Sequence, residues 1–292
     1  MMLWILGEAT IMDLGRHRSG VAPGPLRIES MPEIRSGRRV TLLAAMLAPI
    51  IGGCTIGDST MIRPLVIGHR GASHVVPENT IASFHRAFLE GADGVEGDFR
   101  LTRDSRIVCM HDADLKRTTG DRRAVDEVDL ETIRRLDAGS WKGQSHAGEG
   151  VPTLAEVTEV VPVGRDLLVE IKSGSDSVRP LIAVLNASSV EPDRITIISF
   201  DDEVVRTVSN ESSRYDSYLL TSFDRDGGGA VSPTARELVA RARACSASGI
   251  GARADPEIID EEFMMICREA RLEVNVWTVN DPALAVRFMR LG

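Results

Sequence analysis

Aromatic residues are scarce in this chain. Phe, Tyr and Trp make up 4% of its 292 residues, whereas 43% of the residues are hydrophobic. A core of ordinary size must therefore be built mainly from Val, Leu, Ile and Ala. Together with 26% charged residues, that content excludes a disordered or collagen-like chain. The length suits two average domains or one α/β barrel, which forms a single unit of about 250 residues.

Positive charge is also in short supply. The 34 Lys and Arg residues face 43 Asp and Glu residues, which gives a formal net charge of −9. Lysine occurs at Lys116, Lys142 and Lys172. Since an acidic surface repels a phosphate backbone, the composition argues against nucleic-acid binding. Any phosphate group that this protein binds must be contacted by a few cationic side chains positioned at the binding site.

Long apolar runs are missing as well. The run Val40–Ile51 is shorter than the roughly 20 residues that a membrane-spanning helix needs. It follows the basic pair Arg38-Arg39 and precedes Gly52-Gly53-Cys54. Basic, apolar and small residues in that order are typical of a secretory signal. Ile51–Cys54 resembles a bacterial lipobox, whose Cys is lipidated; the alternative is a buried helix that ends in a Gly-Gly turn.

These features predict four segments. Met31 stands 23 residues before Cys54, a normal length for a signal, so residues 1–30 are interpreted as an over-called, unstructured start. Residues 31–53 are predicted to be a lipoprotein signal peptide, residues 54–63 a tether, and residues 64–292 the folded domain, with an insertion loop at 113–150. The protein is thus expected to be exported and anchored by lipid at Cys54 to the cell-envelope membrane of a bacterium.

The remaining cysteines indicate neither a metal site nor disulfide bonds. Cys109, Cys245 and Cys267 form an odd set without a C-x-x-C spacing. Such a set favours neither a structural zinc site nor a disulfide framework. We predict that all three are buried free thiols.

From Pro64 onward, short apolar runs alternate with helical patterns. The runs that predict strands are Leu65–Gly68, Gly94–Leu101, Ile107–Met110, Leu167–Ile171, Ile195–Phe200, Ser217–Leu220, Ile250–Ala252 and Glu273–Val279. The patterns that predict helices are Asn79–Glu90, Leu154–Val160, Val178–Ala187, Asp202–Ser209, Pro233–Ala244, Asp260–Ala270 and Pro282–Leu291. Repeated strand–helix alternation predicts a parallel sheet. Without a second Gly-rich phosphate loop, a closed α/β barrel is favoured over a doubly wound sheet.

Polar residues stand at the ends of successive predicted strands, in Gly68–Gly71, Glu96–Asp98 and His111-Asp112. Glu96 and Asp98 are two residues apart and therefore share one face of a strand. Two adjacent carboxylates repel each other unless a cation neutralises them, and Ca²⁺ or Mg²⁺ is the natural partner. Glu170, at the end of a later strand, can supply a third oxygen ligand. The alternative is that these acids form salt bridges at the rim of the barrel.

The histidines and the arginine beside this cluster suit phosphoryl chemistry. Arg70 offers a planar fork to phosphate oxygens. His69 and His111 can divide the proton transfers between the nucleophile and the leaving oxygen. A bound metal would offset the charge that develops in the transition state.

Taken together, these segments resemble the glycerophosphodiester phosphodiesterase family. The matching motifs are Val66–Gly71, Pro77–Thr80, Gly94–Asp98, His111-Asp112, Arg117–Thr119, Pro152–Leu154, Val169–Lys172, Ile198–Phe200 and Val276–Asn280. The resemblance covers Leu65 to Gly292. It implies a TIM (β/α)8 barrel that cleaves glycerophosphodiesters to glycerol 3-phosphate and an alcohol with the help of a divalent metal, Ca²⁺ or Mg²⁺.

Carried over motif by motif, the resemblance also assigns site residues. It implies that His69 and His111 are the acid/base pair and that Arg70 and Lys172 contact phosphate. The metal ligands it implies are Glu96, Asp98 and Glu170. Trp277 resembles the apolar wall against the glycerol backbone, the alternative being a core tryptophan. Asn79 is expected to cap the first helix.

Two further expectations concern the end of the chain and the insertion. The family pattern continues past its final helix into a last strand, whereas this chain stops at Leu291-Gly292, so the barrel is expected to lack that strand. Arg117–Arg123 is expected to be a solvated loop, the alternative being a lipid-headgroup patch. The alternative functions are a hydrolase of the same fold that acts on lysophospholipids or envelope glycerol-phosphate polymers, and a binding lipoprotein without activity.

Overall fold

The computed structural model describes residues 2–5 and 64–291 of the chain. The predicted signal peptide, the tether and Cys54 lie outside these residues. Within them, the strands in chain order are β1 (Met2–Ile5), β2 (Leu65–His69), β3 (Gly94–Leu101), β4 (Ile107–Cys109), β5 (Asp166–Ile171), β6 (Ile195–Ser199), β7 (Asp216–Thr221), β8 (Asp224–Arg225), β9 (Val231–Ser232), β10 (Gly249–Arg253) and β11 (Glu273–Trp277). The helices are α1 (Ile81–Leu89), α2 (Lys116–Thr119), α3 (Leu130–Ile133), α4 (Leu154–Val160), α5 (Val178–Ala187), α6 (Asp202–Glu211), α7 (Ala235–Ala244), α8 (Glu261–Glu269) and α9 (Pro282–Leu291).

Eight of the strands pair in parallel and close into a ring. The order around it is β2, β3, β5, β6, β7, β10, β11 and β1, and β1 pairs again with β2. This confirms the predicted TIM barrel. Strand β4 lies outside the ring and pairs antiparallel with the end of β3, with Phe99 opposite Cys109. Parallel strands of one barrel end at the same face, so the residues that follow them meet there.

The strand between β11 and β2 comes from the start of the chain. Met2 of β1 pairs with Asn275 of β11 and with Leu65 of β2. After β11 the chain continues into α9, so the eighth place in the ring is filled by residues 2–5. The expected unstructured start at 1–30 is wrong for these four residues. The physical reason is that the free edges of β2 and β11 offer backbone donors and acceptors to an extended segment.

The core is aliphatic, as the composition predicts. Between the ring and its helices, buried Val, Leu and Ile residues form one large cluster. Inside the ring, a smaller cluster contains Ile67, Leu168, Ile198, Tyr218 and Leu220. Cys109, Cys245 and Cys267 are buried free thiols, which confirms the prediction.

The insertion at 113–150 has an apolar cluster of its own. The insertion contains the short helices α2 and α3. Its buried apolar residues pack with Val108, Met110 and Val151 outside it; they are Leu115, Val125, Val128, Ile133 and Ala138. The insertion is therefore a packed layer attached to β4. Across residues 2–5 and 64–291, no helix combines the length and the apolar character needed to cross a membrane.

Candidate active site

The predicted site residues meet at the C-terminal face of the barrel. His69 ends β2 and lies beside Glu96 of β3, and Asp98 of β3 lies beside Glu170 of β5. A tight turn follows β2, in which Arg70 has a φ of 55°. Gly71 is required there, because a Cβ on it would lie 2.5 Å from the backbone carbon of Ser83 in α1. The Gly at this position thus lets the loop that carries Arg70 pack against the first helix.

Three buried carboxylates form the centre of the site. Oxygens of Glu96, Asp98 and Glu170 all lie within 4.8 Å of one another. Arg70 Nε is 3.1 Å from Asp98 Oδ2. Lys172 Nζ is 3.2 Å from Asp98 Oδ1 and 2.5 Å from Glu170 Oε1. Two cations therefore face three acids, and the cluster retains a formal deficit of positive charge.

The pKa values of these groups reflect that deficit. Burial, together with the neighbouring Asp98, raises the pKa of Glu170 to about 7. The same two causes raise the pKa of Glu96 well above its usual range. Burial also opposes ionisation of Asp98, but Arg70 and Lys172 outweigh it and hold the pKa of Asp98 at about 2. Glu170 thus holds its proton into the neutral range when no further cation is present, and the pKa of Glu96 is shifted in the same direction.

The donor set fits a hard divalent cation. Glu96 Oε1 is buried and accepts no hydrogen bond from residues 2–5 or 64–291, so an oxygen in the cluster is available to coordinate an ion. Carboxylate oxygens from two neighbouring strands are the ligands that Ca²⁺ and Mg²⁺ prefer. The cluster can therefore hold such an ion, which would replace the protons on Glu96 and Glu170.

The two histidines have different surroundings. The His69 side chain is 12% exposed, and its Nε2 lies 3.9 Å from Glu96 Oε2. Burial and then the adjacent Arg70 lower its pKa to about 3, so the imidazole is neutral at pH 7. His111 is half-buried and its Nδ1 lies 2.7 Å from Asp112 Oδ1. A carboxylate at that distance favours the tautomer with the proton on Nδ1, which leaves Nε2 as the free nitrogen.

Aromatic side chains line the opposite side of the site. Trp277 ends β11, its ring lies edge-on to Phe200 with the centroids 5.5 Å apart, and its Nε1 donates to Gly251 O at 3.0 Å. Lys172 Nζ is 5.7 Å from the centre of the Phe200 ring. Trp277 also packs against the cluster inside the ring. The position of Trp277 is thus compatible with both expectations, an apolar wall of the site and a core tryptophan. Phe200 also lies at the site, although the sequence analysis does not single it out.

Asn79 is not the helix cap that the sequence indicates. Thr80 caps α1, since its side chain accepts from Ser83 N. Asn79 is buried, has a φ of 59° and contacts Asp98. Its left-handed conformation, which Asn tolerates better than most residues, directs the chain so that the side chain reaches β3. The sequence does contain a signal for this difference: Asn79 is followed immediately by Thr80, a second residue type that can cap a helix.

Arg117 is more than part of a solvated loop. Its guanidinium contacts Asp112 and Glu78, both next to the site. Arg123 pairs locally with Asp121, as expected for a surface loop.

The fold and the site together define an α/β-barrel enzyme of the phosphodiesterase type, with a carboxylate cluster between two histidines and two cations.

Comparison with known proteins identifies the family. Residues 69–292 match the Glycerophosphoryl diester phosphodiesterase family. The chain is 35% identical over 237 residues to the glycerophosphodiester phosphodiesterase of Caldanaerobacter subterraneus subsp. tengcongensis, covering 79% of this chain and 92% of that protein. It is 28% identical over 267 residues to a glycerophosphodiester phosphodiesterase of Bacillus subtilis, covering 86% and 88%. The chain therefore belongs to the glycerophosphoryl diester phosphodiesterase family of enzymes.

Solved structures show the same architecture. The phosphodiesterase of Oleispira antarctica, in complex with the product sn-glycerol-3-phosphate, is 27% identical with a TM-score of 0.68, covering 79% of this chain and 90% of that chain. The glycerophosphodiester phosphodiesterase of Thermotoga maritima, at 23% identity, has a TM-score of 0.61 and covers 78% and 91%. These likenesses confirm the predicted barrel.

Proposed function

We propose that this protein hydrolyses glycerophosphodiesters to glycerol 3-phosphate and an alcohol in a reaction that depends on a divalent metal. The observation that carries the proposal is the buried cluster Glu96–Asp98–Glu170, placed between two histidines and flanked by Arg70 and Lys172. Anionic ligands, a phosphate-binding fork and neutral imidazole are the groups that diester hydrolysis needs in one place. The family supports the substrate class.

The chain's own residues divide the work as follows. Arg70 and Lys172 bind the non-bridging oxygens of the phosphodiester and neutralise their charge. Neutral His69 accepts the proton that the attacking hydroxyl or water loses. His111, whose Nδ1–H is held by Asp112, acts in its doubly protonated form. It donates the Nε2 proton to the leaving oxygen as the bond from phosphorus to that oxygen breaks, and it is left as the Nδ1–H tautomer. Glu96, Asp98 and Glu170 would hold Ca²⁺ or Mg²⁺, which stabilises negative charge on the phosphoryl oxygens when bound.

The aromatic pair supplies the remaining contact surface. Phe200 is 43% exposed and stands beside Trp277 at the mouth of the site. An apolar face next to the cation Lys172 suits the carbon skeleton of glycerol, whose phosphate then lies toward Arg70. We propose that Trp277 and Phe200 bind the glycerol moiety in this way.

The activity is tested by measuring glycerol 3-phosphate released from glycerophosphocholine by the full chain. Turnover should disappear with chelator and return with Ca²⁺ or Mg²⁺, and titration of each ion identifies the better one. His69→Ala and His111→Ala should each reduce kcat at least about a hundredfold, since acid/base groups contribute factors of this size. His85→Ala, on the exposed side of α1, serves as the control and should keep full activity.

Two outcomes would overturn parts of this proposal. Full activity in either histidine variant would remove that residue from the mechanism. No turnover by folded, metal-loaded protein, followed by turnover of a lysophospholipid or a glycerol-phosphate polymer, would reassign the substrate.

We also propose export and lipid anchoring at Cys54. The support is the order of basic, apolar and small residues that ends in Ile51–Cys54. Cys54→Ala should move the protein from the membrane fraction to the supernatant. Equal membrane recovery of the variant and the native chain would overturn the anchor.

A further inference from the structure

The guanidinium of Arg117 holds two carboxylates that come from different loops. Its Nε donates to Asp112 Oδ2 at 2.6 Å, and its Nη1 and Nη2 donate to Glu78 Oε2 and Oε1 at 2.9 and 2.8 Å. Glu78 precedes α1 in the loop after β2, and Asp112 lies in the loop after β4. Arg117 itself belongs to α2 in the insertion. One side chain thus connects three separate parts of the C-terminal face.

Each of these carboxylates has a second contact inside the site. Asp112 Oδ1 meets His111 Nδ1 at 2.7 Å, and Glu78 Oε1 accepts from Arg70 Nη1 at 2.9 Å. A continuous line of polar contacts therefore runs from His111 through Arg117 to Arg70. Both ends of the line are residues with proposed roles in the reaction, one in proton transfer and one in phosphate binding.

The charges along the line alternate and remain fixed at neutral pH. Burial opposes ionisation of both carboxylates, but Arg117 outweighs it and lowers the pKa of Glu78 and of Asp112, the latter to about 2. Isolated ion pairs on a surface contribute little free energy. The guanidinium of Arg117, shared between two ionised carboxylates, instead restricts the orientation of both. The Glu78 side chain is only 12% exposed, so this contact is largely shielded from water.

We propose that Arg117 is a positioning residue that sets the placement of His111 relative to Arg70. The inference rests on the proposed function for the roles of those two residues. Without Arg117, Asp112 loses its anchor and the imidazole of His111 is free to rotate. Glu78 then pairs with Arg70 alone and draws the guanidinium away from the phosphate position.

The kinetic test compares Arg117→Gln and Arg117→Lys with the matched control Arg123→Gln. Arg123 lies in the same insertion and pairs with the local Asp121. In Arg117→Gln, kcat should fall about tenfold to a hundredfold, which is the cost of displacing a catalytic group by up to an ångström. The Ki of glycerol 3-phosphate should rise at least about threefold, and Arg117→Lys should recover only part of each loss. Arg123→Gln should match the native protein.

A merely structural role gives a different pattern. It would lower the melting temperature and the active fraction while leaving the Ki of glycerol 3-phosphate and the KM unchanged, and that result would overturn the proposal.

A measurement without substrate separates this inference from the proposed function. In ¹⁵N spectra of the full chain, the ring nitrogens of His111 should show the Nδ1–H tautomer, and the Nε–H of Arg70 should give a distinct signal. Arg117→Gln should shift both sets of signals, whereas Arg123→Gln should shift neither. Unchanged His111 and Arg70 signals in Arg117→Gln would refute the positioning role, even if the native protein is an active phosphodiesterase. Shifted signals in a protein that fails to turn over substrate would refute the proposed function alone.

Discussion

Asn79 holds Asp98 at two points. The Asn79 side-chain amide donates to Asp98 Oδ2 at 2.8 Å, and Asn79 Oδ1 accepts the backbone N–H of Asp98 at 3.1 Å. The thiol of Cys109 donates to the same Asn79 oxygen at 3.2 Å. Because all three residues are buried, these contacts fix the orientation of the Asp98 carboxylate within the cluster of acids.

Replacing Asn79 should therefore weaken metal binding. Loss of a partner that orients a ligating group costs about tenfold to a hundredfold in metal affinity, and we expect a loss of that size for Asn79→Ala. Calorimetric titration of the metal-free protein with Ca²⁺ and with Mg²⁺ measures it directly.

The neighbouring Thr80 provides a matched control. Thr80→Ala removes the cap of α1 and should lower the free energy of unfolding by about 1 kcal/mol without changing metal affinity. If Asn79→Ala is destabilised in the same way and yet binds metal with native affinity, Asn79 is structural and does not orient Asp98.

In the metal-free protein, the buried acid Glu170 should make a contribution to stability that is lost as the pH rises. The folded-state pKa of Glu170 is about 7, above its ordinary value of 4.5, because of burial and the nearby Asp98. Between these values the folded chain keeps a proton that the unfolded chain releases, so the contribution of Glu170 is complete below pH 4.5 and is lost up to about pH 7. His69, whose pKa is lowered from 6.5 to about 3, has the opposite effect up to pH 6.5, so the contribution of Glu170 is measured as a difference between variants. The slope for one such group is about 1 kcal/mol per pH unit, and Glu96 acts in the same direction as Glu170.

Urea unfolding in the presence of a chelator, at intervals from pH 4.5 to pH 8, measures this dependence. Glu170→Gln, which cannot ionise, should gain stability relative to the native chain as the pH rises from 4.5 to about 7. Excess Ca²⁺ or Mg²⁺ at pH 8 should restore the stability of the native chain. Equal dependence of stability on pH in the native chain and in Glu170→Gln would contradict the assignment of Glu170 as a buried protonated acid.

Removal of β1 should open the barrel. Met2–Ile5 pairs with both β2 and β11, so a chain that begins after residue 53 exposes the edges of both strands. With net contributions of roughly 0.5–1.5 kcal/mol per backbone hydrogen bond, we expect a loss of about 3 kcal/mol or more. Urea unfolding of residues 1–292 and of residues 54–292 makes the comparison.

A point substitution tests the same strand at constant length. Leu3→Pro removes one backbone donor from β1 and should account for part of the loss. The result also bears on export, since cleavage before Cys54 would produce the shorter chain. Equal stability of the long and short chains would show that β1 contributes nothing to the fold.

Much of the fold follows from local pattern. Continuous aliphatic runs predict the parallel strands β2, β3 and β5 because such strands are buried on both faces. The spacing of Glu96 and Asp98 predicts their common direction, since side chains two apart in a strand project to the same side. Both signals lie within a few residues of each other and need no knowledge of the rest of the chain.

The features that were missed depend on distant contacts. Strand β1 is recognised only by partners such as Asn275, far along the chain, and four residues are too few to carry a strand pattern. Asn79 satisfies the usual preference for a helix cap, and only the approach of β3 shows that its side chain turns inward. Arg117 resembles a surface charge until Glu78 and Asp112 are brought to it from other loops.

Phe200 should affect substrate binding more than stability. Its ring is 43% exposed, so truncation removes little buried area, yet it stands between Lys172 and Trp277 at the mouth of the site. We expect Phe200→Ala to raise the KM for glycerophosphocholine about threefold to tenfold, which corresponds to roughly 1 kcal/mol of lost apolar contact. The kcat should stay within about twofold, because a phenyl ring transfers no proton in the reaction. Met265→Ala, a truncation of a similarly exposed apolar residue on α8, is the control and should leave both constants unchanged. A fall in kcat at constant KM would mean instead that Phe200 acts through Lys172 on the reacting phosphate.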